Sequence, residues 1–70
     1  GISNKFVVTQ TLSSGSNTIT HSLNDENVIV QVIDVSTGQL IIPNKVSNYL
    51  LDSVEIDVEL GGEYKIIIIA

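Results

Sequence analysis

Cysteine, methionine, tryptophan and arginine are missing from the 70 residues, and proline and histidine occur once each. Each absence closes a route. Without cysteine no disulfide can staple the chain, and one histidine cannot build a Cys/His zinc site. A chain this short lies near the lower size limit for a single core, where small domains rely on disulfides, metal or association. Tight packing or association is what remains. Three lysines face eight Asp and Glu, for a net charge of −5. That balance lacks the basic patch that phosphate neutralisation needs, so nucleic acid is not an expected partner. No apolar run approaches the ~20 residues that span a bilayer, and membrane insertion is not expected. No cofactor is expected either.

What the chain does have is β-forming apolar material. Hydrophobic residues make up 43% of it, yet only Phe6, Tyr49 and Tyr64 are aromatic. The rest is mainly Ile, Val and Leu, enough to cover both faces of a sheet. The sequence starts with Gly instead of Met, which suggests a cut fragment or a tag scar, with residues 1–4 as a lead-in to one domain spanning residues 1–70.

Alternation marks the strands. KFVVTQTL over residues 5–12 places Phe6, Val8, Gln10 and Leu12 on one face and Val7, Thr9 and Thr11 on the other. A flexible turn at residues 13–16 precedes NTITHSL, in which Ile19, His21 and Leu23 share a side. Asn24-Asp25-Glu26-Asn27 is the sharpest turn signal, because Asn and Asp tolerate left-handed backbone and bond their own chain. Residues 28–35 then form a strand apolar on both faces. Val28, Val30, Val32 and Asp34 lie opposite Ile29, Gln31, Ile33 and Val35. The next residues, Ser36-Thr37-Gly38, suit a hairpin with Gly38 at a positive φ and the Asp34 carboxylate within reach of turn amides. Leu40-Ile41-Ile42 returns and stops at Pro43.

Residues 46–51 read as a weaker strand, and Asp52-Ser53 as a turn. Over residues 54–60 the alternation is clearest, with Val54, Ile56, Val58 and Leu60 inward and Glu55, Asp57 and Glu59 outward. Gly61-Gly62 predicts a two-residue hairpin into EYKIIII. That register sets Ile56 against Ile67 and Val54 against Ile69, leaving Tyr64, Ile66 and Ile68 on the acidic face. Such a face would need cover from another strand or another subunit. The interface candidates are accordingly Val28, Val30, Val32, Tyr64, Ile66 and Ile68. The predicted fold is all-β: a small antiparallel sandwich of six to seven short strands, immunoglobulin-like or jelly-roll-like.

Reactive chemistry is thin. His21 lies among Thr and Ser but reads as a strand-end residue bridging backbone near the 24–27 turn, not as the base of a triad. Glu55, Asp57 and Glu59, spaced by two, read as a solvated strand face, not as paired glycosidase carboxylates. Asn24, Asp25, Glu26 and Asn27 lack EF-hand spacing, so a turn is expected there and not a calcium site. Sugar binding would fall to Tyr49 and Tyr64. The residues expected to contact a receptor are Asn24, Asp25, Glu26, Asn27 and Tyr49, in loops at 13–16, 24–27 and 44–48, because loops on a rigid scaffold carry binding.

One ordered set of pieces goes further. His21-Ser22-Leu23, Val28-Ile29-Val30-Gln31-Val32, Asp34-Val35-Ser36-Thr37-Gly38 with Ile42-Pro43, Ser53-Val54-Glu55-Ile56 and Gly62-Glu63-Tyr64-Lys65-Ile66-Ile67-Ile68 follow one another. Over about three quarters of its length the chain resembles a small β module found near the C-termini of tailed-bacteriophage tail fibres, head fibres and related virion proteins. It departs from that pattern in carrying Asn24 where a glycine would follow Leu23. The resemblance implies a non-enzymatic homotrimeric module on the virion surface, serving fibre trimerisation and attachment to a host-surface glycan or protein. The alternative is a carbohydrate-binding or immunoglobulin-like accessory module of a secreted or surface protein.

Overall fold

Period-two alternation leaves each strand with one apolar face, and two sheets pressed together bury those faces. In a computed structural model, which describes residues 4–70, the chain forms seven strands. They are β1 (Lys5–Leu12), β2 (Gly15–Thr20), β3 (Ile29–Asp34), β4 (Gln39–Ile41), β5 (Lys45–Ser47), β6 (Ser53–Val58) and β7 (Gly62–Ile69). One sheet has the order β1-β7-β3-β4 and the other β2-β6-β5, with every pairing antiparallel. The result is a small β-sandwich. Its order is not that of an immunoglobulin constant domain, where the first two strands share a sheet; here β1 and β2 lie in opposite sheets.

The core lies between the sheets. Leu12 from β1, Ile19 from β2, Val32 from β3, Val54, Ile56 and Val58 from β6, and Tyr64, Ile66 and Ile68 from β7 are buried there, with Val28 beside them. Phe6, Val8, Val30, Ile41 and Val46 pack against this cluster. Strand β1 has the predicted bounds, and of its two predicted faces the one with Phe6, Val8, Gln10 and Leu12 turns inward. The β3–β4 hairpin also forms as the residues suggest. Gly38 has φ 71° and its N–H donates to Asp34 O at 2.7 Å. The Asp34 Oδ1 accepts from the Ser36 N–H at 2.9 Å and from Ser36 Oγ at 2.7 Å.

The second strand starts earlier than its alternation suggested. Gly15, at φ 102°, opens β2, and Asn17 holds the turn before it. The Asn17 Oδ1 accepts from Ser13 N at 3.0 Å, while its Nδ2 donates to Ser13 O at 2.8 Å and Gly15 O at 3.0 Å. The weak strand expected at residues 46–51 is the three-residue β5, which ends before Asn48, a residue in left-handed backbone at φ 51°.

The 61–62 hairpin does not form. β6 and β7 belong to different sheets, and β7 pairs instead with β1 and β3. The reason is burial. A hairpin would leave Tyr64, Ile66 and Ile68 on the acidic face. In opposite sheets, both even-numbered apolar sets point into one core, and each side chain so buried contributes about 1.5–3 kcal/mol. The crossing connection is tight: a Cβ on Gly61 would sit 3.2 Å from Leu12 O. Leu60, expected inside, lies on this connection and is 72% exposed. Its carbonyl accepts from the Tyr64 hydroxyl at 2.7 Å.

The same correction removes the expected subunit seam. Val32, Ile66 and Ile68 are 1%, 0% and 0% exposed within a single chain. Tyr64 and Val28 are also buried and Val30 is half-buried. Five of the six thus belong to the interior of one copy, while Val30 is half-buried at its margin.

Candidate functional site

The loop candidates divide between the two ends of the sandwich. Gly15 pairs with Val58 at one end of the β2–β6 ladder and Thr20 with Ser53 at the other. Residues 13–16 therefore sit with the β6–β7 connection, where Ser14 Oγ donates to Glu59 O at 2.8 Å. The loop at 21–28 meets the β5–β6 connection at the opposite end. The third contact loop, expected at 44–48, is instead strand β5, so the predicted loops do not form one surface.

At that second end, two loops distant in sequence are clamped together through Asp52. Its carbonyl accepts from the N–H groups of His21 at 2.8 Å and Ser22 at 3.1 Å, and its Oδ1 accepts from Asn24 N at 3.0 Å. Asp25 N donates to Leu51 O at 2.8 Å. The clamp requires sharp backbone in the first loop. Ser22 and Asn24 adopt φ 56° and 55°, and asparagine is among the few non-glycine residues that tolerate this region. Within the first loop, Asp25 Oδ1 accepts from Asn27 N at 2.8 Å, an Asx turn. Within the second, Asn48 Nδ2 donates to Glu55 Oε2 at 2.6 Å and Leu50 N to Ser53 O at 2.9 Å.

Between the clamped loops is an open depression lined by Glu26, Asn27, Val28 and Tyr49. Three of the five receptor-contact candidates, Glu26, Asn27 and Tyr49, thus come together there. The other two work as struts: Asn24 and Asp25 give their backbone amides to the clamp. Tyr49 is 42% exposed, and its neighbours Leu50 and Leu51 are 60% and 54% exposed. The sequence reading missed this apolar pair and the role of Asp52. The only signal was the placement of Leu50-Leu51 directly before a turn residue, where an outward strand face cannot account for both.

His21 is the buried member of this end, at 3% exposure. Its Nδ1 accepts from Leu23 N at 3.1 Å, and its Nε2 has no partner among the described residues. The lone pair a general base would use is already engaged with the backbone. Elsewhere, Asp57 accepts from Asn44 Nδ2 at 3.3 Å and from Ser16 Oγ at 3.5 Å. Among the described residues no group of three or more His, Asp or Glu side chains is placed to hold a metal ion.

Compared with known protein families, curated proteins and solved structures, the chain matches none.

Proposed function

We propose that this chain is a non-enzymatic structural and adhesion module of a bacteriophage fibre or virion decoration protein. It acts as a homotrimer on the particle surface and contacts a host-surface glycan or protein through the Asp52-clamped end. The sandwich subtype that fits this reading is jelly-roll-like, since four of the six connections cross between sheets. One observation carries the adhesive part. Two loops locked by backbone bonds to Asp52 and Leu51 hold Tyr49 beside Glu26 and Asn27. A rigid rim with a half-exposed aromatic and adjacent polar groups binds with little ordering cost.

The test is binding of the fluorescently labelled protein to intact bacterial cells and to a glycan array, together with its native mass. Binding that falls on Tyr49→Ala and Glu26→Ala, in a trimer with unchanged circular dichroism, supports the reading. Binding indifferent to both substitutions refutes the assigned surface. A second reading draws on the same observation: Tyr49 with Glu26 and Asn27 also suits a carbohydrate-binding accessory module. A monomer whose glycan binding is lost on Tyr49→Ala favours that second reading.

A further inference from the structure

The outward side of the four-stranded sheet has no partner among the described residues, and beside Lys5, Thr9, Thr11, Gln31, Glu63 and Lys65 it carries a run of exposed and half-buried apolar side chains. Its ladder register brings the relevant side chains into neighbouring rows. Ile29 lies beside Ile69, Ile67 between Val7 and Gln31, and Ile33 between Lys65 and Leu40. Ile29 is 65% exposed, Leu40 62%, Val7 46% and Ile69 40%, while Ile33 and Ile67 are half-buried. The outward side of the other sheet is different in kind. Its rows read Ser16, Asp57, Lys45 and Thr18, Glu55, Ser47. One sandwich therefore presents a polar, acidic face and an apolar one.

We infer that the outer face of β1-β7-β3-β4 is the surface through which copies of this chain pack on one another. This rests on the oligomeric part of the function proposed above and gives it a location, replacing the buried residues that sequence pattern had nominated. In a three-fold ring the contact is heterologous, so one part of this face meets one neighbour and another part the second.

Charge favours a second copy as the occupant. Lys5 and Lys65 lie on this face with Glu63 as its one acid, a balance of +1 that leaves −6 for the rest of a chain totalling −5. Two copies meeting through the outer face of β2-β6-β5 would set Glu55 and Asp57 against their own copies. Here Lys5 and Lys65 of one copy carry the sign opposite to Glu63 of the next, so the face does not repel itself as an acidic one would. Strands of 8, 8, 6 and 3 residues, at about 3.4 Å per residue and about 4.8 Å apart, give roughly 400 Å² of projected area per copy. Two such faces remove about 800 Å² before the relief of the side chains is added, the lower end of what a specific interface buries.

Sedimentation equilibrium and native mass spectrometry of the whole chain test this, with Ile29→Lys and Leu40→Lys as disrupting variants. Thr18→Lys, on the outer face of the three-stranded sheet, makes the same charge change as a control. The expected result is a wild-type multimer of the 7.5 kDa chain. Each disrupting variant should weaken its association about tenfold or more, while Thr18→Lys leaves it intact. Two variants on different strands guard against one failing to fold, and circular dichroism reports folding for both. A multimer that survives both substitutions overturns the assigned face and leaves the oligomeric reading standing. A wild-type chain that stays monomeric at every concentration overturns both.

Discussion

Replacing Ile66 with alanine removes the branched end of a side chain that is 0% exposed, in the middle of the strand that β1 and β3 both pair with. Val8 and Val32 flank it in the sheet, and it faces the buried row of β6 across the core. Buried Ile→Ala changes cost about 2–5 kcal/mol, because the lost transfer energy is joined by that of a cavity the surroundings only partly fill. The position is central and its neighbours are β-branched and paired on both sides, so collapse is restricted and about 3 kcal/mol or more is expected. A domain of 70 residues has roughly 4–10 kcal/mol of stability in total. The variant should thus lose a third or more of it. At about 4–8 °C per kcal/mol for a domain this small, the melting temperature falls by about 12–24 °C.

Urea denaturation followed by circular dichroism, at two protein concentrations, measures the effect, with Ile29→Ala as comparison. Ile29 is on the other face of the same sheet and 65% exposed, so in the dissociated chain its truncation should stay within about 0.5 kcal/mol. The contrast separates interior from seam. If Ile66 lies inside each copy, its cost persists on dilution to monomer. A loss below about 1 kcal/mol, or one that disappears on dilution, would refute the placement of Ile66 and with it the assignment of β6 and β7 to opposite sheets.

Gly38→Ala forces a Cβ into left-handed backbone at φ 71° and should cost about 1–2 kcal/mol; Gly38→Asn should recover part of it, as read from urea midpoints. Asn17→Ala removes the side chain that satisfies Ser13 N, Ser13 O and Gly15 O and should cost about 1–3 kcal/mol in the same assay. Asp52→Ala deletes the carboxylate partner of Asn24 N while leaving the Asp52 carbonyl bonds in place. Hydrogen exchange should then speed up at Asn24 with little change in the core strands, and an unchanged Asn24 rate would count against the clamp. If assembly contributes to stability, the wild-type melting temperature should rise with protein concentration.

Legibility followed the range of the interactions involved. The Asp34–Gly38 turn was readable because its bonds all lie within five consecutive residues. The two faces of β1 were readable because period two settles which side chains share a side. The β6–β7 hairpin was misread for a related reason. Gly61-Gly62 is a sound local turn signal, but it competes with the burial of Tyr64, Ile66 and Ile68, and three buried side chains outweigh one favourable turn. The contact loops were half readable. Tyr49 and the 24–27 turn announced themselves as exposed polar or aromatic positions, whereas their meeting depends on Asp52, more than twenty residues from the turn it holds.

By itself, the amino-acid order determined that the chain is all-β, which residues alternate together, where Gly38 and the Asn-rich turn must bend, and that no disulfide can stabilise it. Those are consequences of side-chain period, backbone preference and composition, all of which act locally. Tertiary structure alone decided which alternating faces meet. It put the even-numbered residues of β6 and β7 opposite one another, turned the suspected seam into the core, and left the outer face of β1-β7-β3-β4 as the apolar surface. Alternation gives a strand two sides without saying which is inner. That choice belongs to the packing that buries the most apolar area at once.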